Sequence, residues 1–362
     1  MRAARRTYRI GVIPGDGIGP EVTDAALIVL ETAERVFGFA TERTTFPWSG
    51  EHWLRTREPF GEPQLAQLRG LDAVLLGALG HPDVPRGLLE RDIIINGLRR
   101  GLDLYANVRP VTLYDDRLCP LKGRTAREVD LVIVRENIED VYGAEGRTTG
   151  EGTPDERVAV EMRFTRGETE RIVRFAFELA RRRRRQLTLV DKSNAIQVQQ
   201  LWRDVFEELG PAYPDVERDA MYVDAAAMWL VLHPERFDVI VTTNLFGDIL
   251  SDLGAGLAGG LGAAASANVH PGRLSVFEPI HGSAPRHAGK GVASPVGAIG
   301  AFGMMLEHLG EDAAAKAVDT AIRAAFASGR VLGVEAADTE RSGGTMKVAE
   351  SVANAIRDQG GT

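Results

Sequence analysis

The stretch Tyr8-Arg9-Ile10-Gly11-Val12-Ile13-Pro14-Gly15-Asp16-Gly17-Ile18-Gly19-Pro20-Glu21 decides how this chain folds. Its first six residues form a short apolar run with the character of a buried strand, and a helical pattern, Glu21–Phe37, follows. The glycines between them invite a dinucleotide-binding reading, but the spacing is wrong. The third glycine comes one residue early, and Pro20 and Glu21 open the helix. A ribose-binding acid at the end of a second strand, about 20 residues on, is also lacking. A tight strand-to-helix turn with proline in the first helical turn fits better.

Outward from that turn the pattern repeats. Ala73–Leu76, Leu131–Val134, Leu187–Val190 and Phe237–Val241 read as buried strands, and Glu168–Arg181 and Gln197–Leu209 as helices. Alternating strands and helices predict an α/β fold with parallel strands covered on both faces. A second glycine-rich stretch, Gly254–Gly262, lacks the Lys-Ser/Thr pair of a phosphate loop and reads as close helix packing.

The 362 residues suffice for one large or two ordinary domains. A net charge of −8 argues against nucleic acid or an anionic membrane as partner, though not against small acidic ligands. The run Arg181–Arg185 reads as a solvated helix C-terminus, favoured by the helix dipole. The start Met1–Arg6 is basic, but no apolar signal-length segment follows, and no run approaches the ~18 apolar residues of a membrane helix. A single cysteine, Cys119, excludes an internal disulfide and fits a reducing cytoplasm.

Asp248 and Asp252 stand four apart after the strand Phe237–Val241, so on a helix they share one face. Two carboxylates that close repel unless a cation or proton relieves them, and hard oxygen ligands suit Mg2+ or Mn2+. An N-terminal capping Asp beside a solvated one is the competing reading. Asp224 is a third acid after an apolar stretch. Arg99, Arg109 and Arg135 each lie in an unusual setting; Arg135 ends the apolar strand Leu131–Val134, where a guanidinium is costly unless it meets an anion, and for each of the three a structural ion pair is at least as good an account. Lys192, just past the strand Leu187–Val190, is a candidate base, and Tyr142 a candidate proton donor.

Together these residues resemble the β-decarboxylating dehydrogenases, the family of 3-isopropylmalate, isocitrate, homoisocitrate and tartrate/D-malate dehydrogenases. The resemblance rests on seven ordered blocks: Ile13–Glu21, Leu104–Pro110, Val134–Tyr142, Asp191–Asn194, Tyr222–Met228, Asn244–Asp252 and Phe277–Pro285. It implies an isopropylmalate dehydrogenase-like fold, not a Rossmann dinucleotide fold. Two α/β domains, residues 1–104 with 259–362 and residues 105–258, would flank a cleft. It implies a homodimer with shared sites, Lys192 and Asp224 coming from the partner subunit.

The implied chemistry oxidises a 2-hydroxy acid and removes its β-carboxylate as CO2. Asp224, Asp248 and Asp252 would hold Mg2+ or Mn2+, and Lys192 would take the hydroxyl proton as hydride leaves for the nicotinamide. Tyr142 would return a proton, and Arg99, Arg109 and Arg135 would hold the carboxylates of a di- or tricarboxylate. Coenzyme contacts fall on Asn194, Glu278, His281, Gly282, Ser283, Ala284, Arg286, His287 and Ser294. NAD-using relatives have Asp where Arg286 stands, so Arg286 and His287 lean towards the 2′-phosphate of NADP. The helix Gly87–Arg99 carries Ile93–Ile95 where isocitrate enzymes present a serine. With Ile95 and Asn96 facing substrate, an alkyl group on C3 is expected, as in 3-isopropylmalate; tartrate/D-malate and homoisocitrate or isocitrate are the alternatives. A non-catalytic regulatory relative would have lost some of Lys192, Tyr142 or the aspartates.

Overall fold

The structure, a computed structural model, describes residues 6–360; Met1 to Arg5 of the basic start lie outside it. The first strand β1 (Thr7–Gly15) runs straight into helix α1 (Gly19–Phe37), as the opening stretch predicts. Then come β2 (Ala40–Thr45), the short helices α2 (Gly50–Thr56) and α3 (Glu62–Leu68), β3 (Ala73–Ala78) and β4 (Ala106–Thr112). Strand β5 (Asp130–Glu136) precedes a two-stranded hairpin, β6 (Arg147–Thr149) and β7 (Arg157–Ala159). Helix α4 (Arg166–Arg181), β8 (Gln186–Asp191), α5 (Gln200–Leu209), β9 (Glu217–Tyr222) and α6 (Val223–Leu232) follow. Next are β10 (Val239–Thr242), α7 (Asn244–Leu257), β11 (Ala265–Val269) and β12 (Ser275–Pro279). The chain closes with α8 (Val296–His308), α9 (Asp312–Ala327), α10 (Ala336–Arg341) and α11 (Thr345–Gly360).

Ten strands form one sheet in the order β2-β1-β3-β12-β11-β4-β5-β10-β8-β9. The two ends are parallel, as expected, but the middle is not: β12–β11, β11–β4 and β4–β5 pair antiparallel. Fully buried apolar runs look alike whichever way they point, so periodicity could not give this reversal. Helices cover both faces at either end. One core packs α1, α8, α9 and α11 against β1 and β12, and another packs α4 and α5 against β5, β8 and β10. No helix among the described residues is long and apolar enough to cross a membrane.

The Gly15–Pro20 turn is a packing device. Three of its amides are already taken by protein carbonyls: Asp16 N donates to Ala78 O (2.7 Å), Ile18 N to Ser283 O (2.8 Å) and Gly19 N to Asp16 O (2.8 Å). Those three N–H groups are not free to cradle a phosphate. The buried Asp16 carboxylate accepts from Gly50 N (2.8 Å) and Gly80 N (3.1 Å), tying three loops together. At Gly17, φ is +61° and an added Cβ would lie 1.9 Å from Ser283 O. Gly17→Ala should therefore cost about 2–4 kcal/mol, from left-handed strain plus a backbone clash. Chemical denaturation would read this; an unchanged midpoint would refute the close-approach argument.

The second glycine stretch is partly close packing. A Cβ on Gly254 would meet Val111 at 2.5 Å and one on Gly262 would meet Val334 O at 2.4 Å, whereas Gly256 faces open space. Arg181–Arg185 is less solvated than its charge suggests. Arg183 pairs with the buried Asp238 (2.8 Å) and with Asp130 (3.0 Å), and Arg181 with Asp215 (2.8 Å). The helix expected at Gly87–Arg99 is present as a π-helix, Glu90–Arg100. Its wider turn accommodates an extra residue, and such segments occur often at functional sites.

Candidate active site

Strands β4 and β5 are antiparallel neighbours, and they carry Arg109 and Arg135 onto one face beside α7. Gly247 lets that helix approach: a Cβ there would sit 2.5 Å from Arg135 Cβ. Asp140 fixes the start of α7 by accepting from Leu245 N (2.9 Å), and Asn244 accepts from Arg135 Nε (2.9 Å). Asp248, one turn in, then meets both arginines: it is hydrogen-bonded to Arg135 and 3.2 Å from an Arg109 terminal nitrogen. The Tyr142 hydroxyl donates to Asp248 Oδ2 (2.6 Å), while its ring lies against the Arg135 guanidinium. Asp252, the next turn along, is 3.6 Å from the same Arg109 nitrogen.

The electrostatics are those of an anion site. Arg99, Arg109 and Arg135 are buried together. Burial and the Arg135 charge push Arg99 down to about 9 and Arg109 to about 10. Arg99 Nε has no hydrogen-bond partner among the described residues. A desolvated, orphaned donor beside two like charges is costly unless an anion arrives. Burial tends to raise Asp248, but Arg135, Tyr142 and Arg109 outweigh it and hold the carboxyl below its usual range. Asp252 moves the other way, raised by burial and by Asp248, with Arg109 opposing. Burial and the bond to Asp248 push Tyr142 up to about 12, so it keeps its proton at neutral pH.

Lys192 and Asp224 form a separate pair. Lys192 follows β8 and Asp224 begins α6 after the neighbouring β9, and the ammonium lies 2.6 Å from Asp224 Oδ1. Among the described residues no three acidic, His or Cys side chains form a metal-binding group, so one chain does not unite Asp224 with Asp248 and Asp252. Asp248 and Asp252 still suit a cation, since their mutual repulsion is what a divalent ion relieves.

Of the isoleucines, Ile93 belongs to the core beneath the π-helix and also lines a small cavity with Trp48, Phe60 and Leu89, while Ile94 packs partly buried against that core. Ile95 packs against Gly143, beside Tyr142, and exposed Asn96 accepts from Arg100 (2.9 Å). Arg100 drew no attention in sequence, yet it donates to Tyr142 O (2.7 Å) and Ile138 O (3.1 Å) and so holds the Tyr142 segment. Among the residues expected to meet coenzyme, Glu278 accepts from Asn268 Nδ2 (2.7 Å). Ser283 and Ser294 are buried, Gly282 is exposed, and Ala284 turns the loop with φ +38°. His281 Nδ1 lies 3.1 Å from Gly282 O, and its buried Nε2 lacks a hydrogen-bond partner among the described residues. Arg286, His287 and Asn194 are exposed. Sequence reasoning also missed Ser251, which accepts from Arg109 (2.7 Å), and the asparagines Asn107 and Asn268. A polar residue inside an apolar strand was the available signal.

A model of the isocitrate/isopropylmalate dehydrogenase family matches residues 9–353. A 3-isopropylmalate dehydrogenase from Thermobifida fusca is 41% identical over 362 residues, 98% of this chain and 99% of that one. Among solved structures, isocitrate dehydrogenase from Methylococcus capsulatus aligns with a TM-score of 0.84 at 38% identity, covering 97% of this chain and 99% of the other. A β-decarboxylating dehydrogenase from Thermococcus kodakarensis, in its apo form, aligns with a TM-score of 0.77 at 36% identity, covering 97% and 96%.

Proposed function

The chain belongs to the isocitrate/isopropylmalate dehydrogenase family and is a β-decarboxylating dehydrogenase, and from that premise we propose that it oxidatively decarboxylates 3-isopropylmalate or a close 3-alkylmalate. The buried trio Arg99, Arg109 and Arg135 around Asp248 and Tyr142 carries this reading. Three guanidiniums suit two carboxylates, and Ile95 offers the C3 substituent an apolar neighbour. Lys192 is the base for the 2-hydroxyl, and Tyr142, protonated at neutral pH, is the acid that returns a proton to carbon. Asp248 and Asp252 of one subunit, with Asp224 of another, are the ligands proposed for Mg2+ or Mn2+. Held there, the ion would supply Lewis acidity, and a bound nicotinamide would supply the hydride acceptor.

The same reading makes the protein a homodimer, because Lys192 and Asp224 lie apart from Asp248. Support comes from apolar side chains left open on two adjacent helices. On α6, Met228 and Leu232 are 48% and 49% exposed, and on α7 Ile249 is 57% exposed. Such a surface is what a second copy would cover. The cleft then lies between the segments 1–104 with 259–362 and 105–258, and the protein works in the cytoplasm.

The test is a panel of 3-isopropylmalate, isocitrate, homoisocitrate, tartrate and D-malate with Mg2+ or Mn2+, run with NAD and NADP in parallel. Turnover with CO2 release should be best on 3-isopropylmalate; a preference for a tricarboxylate would overturn the substrate assignment. NADP is the proposed coenzyme, because Arg286 and His287 stand exposed in the loop with no hydrogen bond or ion pair from their side chains to another described residue. A charge-assisted contact to a phosphate contributes about 1.5–3 kcal/mol, so Arg286→Asp should move the NADP:NAD ratio of kcat/KM at least tenfold towards NAD. An unchanged ratio would remove Arg286 from coenzyme choice.

A further inference from the structure

We infer that Asn107 and Asn268 are positioning residues that couple the coenzyme loop to the substrate arginine, a role that rests on the site reading above. The antiparallel pairing of β4 with β11 sets these two residues directly opposite each other. Strand alternation sends their neighbours Val108 and Ala267 to the apolar face behind and both amides to the front. Asn107 is fully buried and Asn268 3% exposed.

Their hydrogen bonds run in one direction. Arg109 Nε donates to Asn107 Oδ1 (2.6 Å), Asn107 Nδ2 to Asn268 Oδ1 (2.8 Å), and Asn268 Nδ2 to Glu278 Oε1 (2.7 Å). The chain begins at a cation that also binds Ser251 and Asp248, and it ends at an anion in the coenzyme loop. Every bond polarises the next in the same sense, and neither amide can turn without breaking a bond at both ends. A shift of Glu278 when coenzyme binds is therefore felt at the Arg109 fork. By linkage the effect is reciprocal, each ligand tightening the other by the same factor.

Asn268→Leu cuts the chain while sparing its neighbours. Asn107 Nδ2 keeps Ser266 Oγ (2.9 Å), and Asn137 Nδ2, which also donates to Asn268, keeps Leu104 O (2.8 Å). Calorimetric Kd values for NADH and NADPH, with and without 3-isopropylmalate and Mg2+, give the coupling factor. The wild type should show at least about fivefold coupling, and Asn268→Leu should bring it within about twofold of unity. In a double-mutant cycle, adding Asn107→Ser should lower it no further. A purely structural role would lower Tm and weaken both ligands alike with the factor intact, and that result overturns the inference, as does a wild type without coupling. If Asn268→Leu does not fold, Asn268→Ser reads the same ratio. A wild type that binds neither coenzyme would sink the site reading itself, a separate outcome.

Discussion

Replacing Lys192 with alanine should lower kcat by roughly 10²–10⁴-fold, the contribution of a positioned general acid–base group, while leaving Tm near that of the wild type. The two expectations come from the same geometry. Lys192 sits at the end of β8 with its ammonium 2.6 Å from Asp224 and its backbone N–H on Gln199 Oε1 (2.7 Å). The backbone bond survives the substitution. The ion pair is with an aspartate whose side chain is 68% exposed, and exposed pairs of this kind contribute little to stability. What is lost, on the proposed mechanism, is a group that in its neutral amine form accepts the substrate's hydroxyl proton. KM for the malate should change much less than kcat, since on the proposed reading the buried arginines and not Lys192 hold its carboxylates. Steady-state kinetics with a thermal melt decide the matter, and a kcat within tenfold of wild type would show that another group removes the proton.

The sequence made the chemistry-bearing residues legible and left their supports hidden, for a physical reason. Asp248 and Asp252 could be placed on one face by helical spacing alone, and Arg135 at a strand end by the apolar run before it. Both are local inferences. Asn107 and Asn268 are 161 residues apart and meet only through the register of two antiparallel strands. Arg100 finds Tyr142 across 42 residues of chain. The reversal of the sheet's middle strands was unreadable for the same kind of reason, because β11 and β12 pair according to a topology that no local pattern encodes. The π-helix escaped because Ile93, Ile94 and Leu98 fit the core in either helical period. The glycine turn is the converse case: spacing alone refused it a phosphate, and the carbonyls that occupy the Asp16, Ile18 and Gly19 amides give the reason.

Asp248→Asn should remove metal-dependent turnover and also weaken the ligand-free fold, a combination that separates it from Lys192→Ala. Among the described residues, Asp248 is the one carboxylate in contact with Arg135, Arg109 and Tyr142 together. Without its charge, Arg135, only 1% exposed, remains desolvated and uncompensated. Breaking a buried pair in this way costs about 3–5 kcal/mol, and since Asp248 is itself about a third open to solvent the loss here should be about 2–3 kcal/mol. The pH dependence follows in sign. A carboxyl held below its ordinary value contributes stability that is complete above the unfolded pKa of about 3.9 and is lost as pH falls through the folded one. The asparagine variant should therefore lose part of the acid limb of the wild-type stability curve. A limb of undiminished steepness would mean that other carboxylates carry it. Mixing adds the decisive control for a shared site. Chains with Asp248→Asn and chains with Lys192→Ala are each inactive alone. If one subunit supplies Asp248 and the other Lys192, every mixed dimer has one site built wholly from wild-type residues. Random re-pairing should then restore roughly a quarter of wild-type turnover. Sites confined to single chains would restore none.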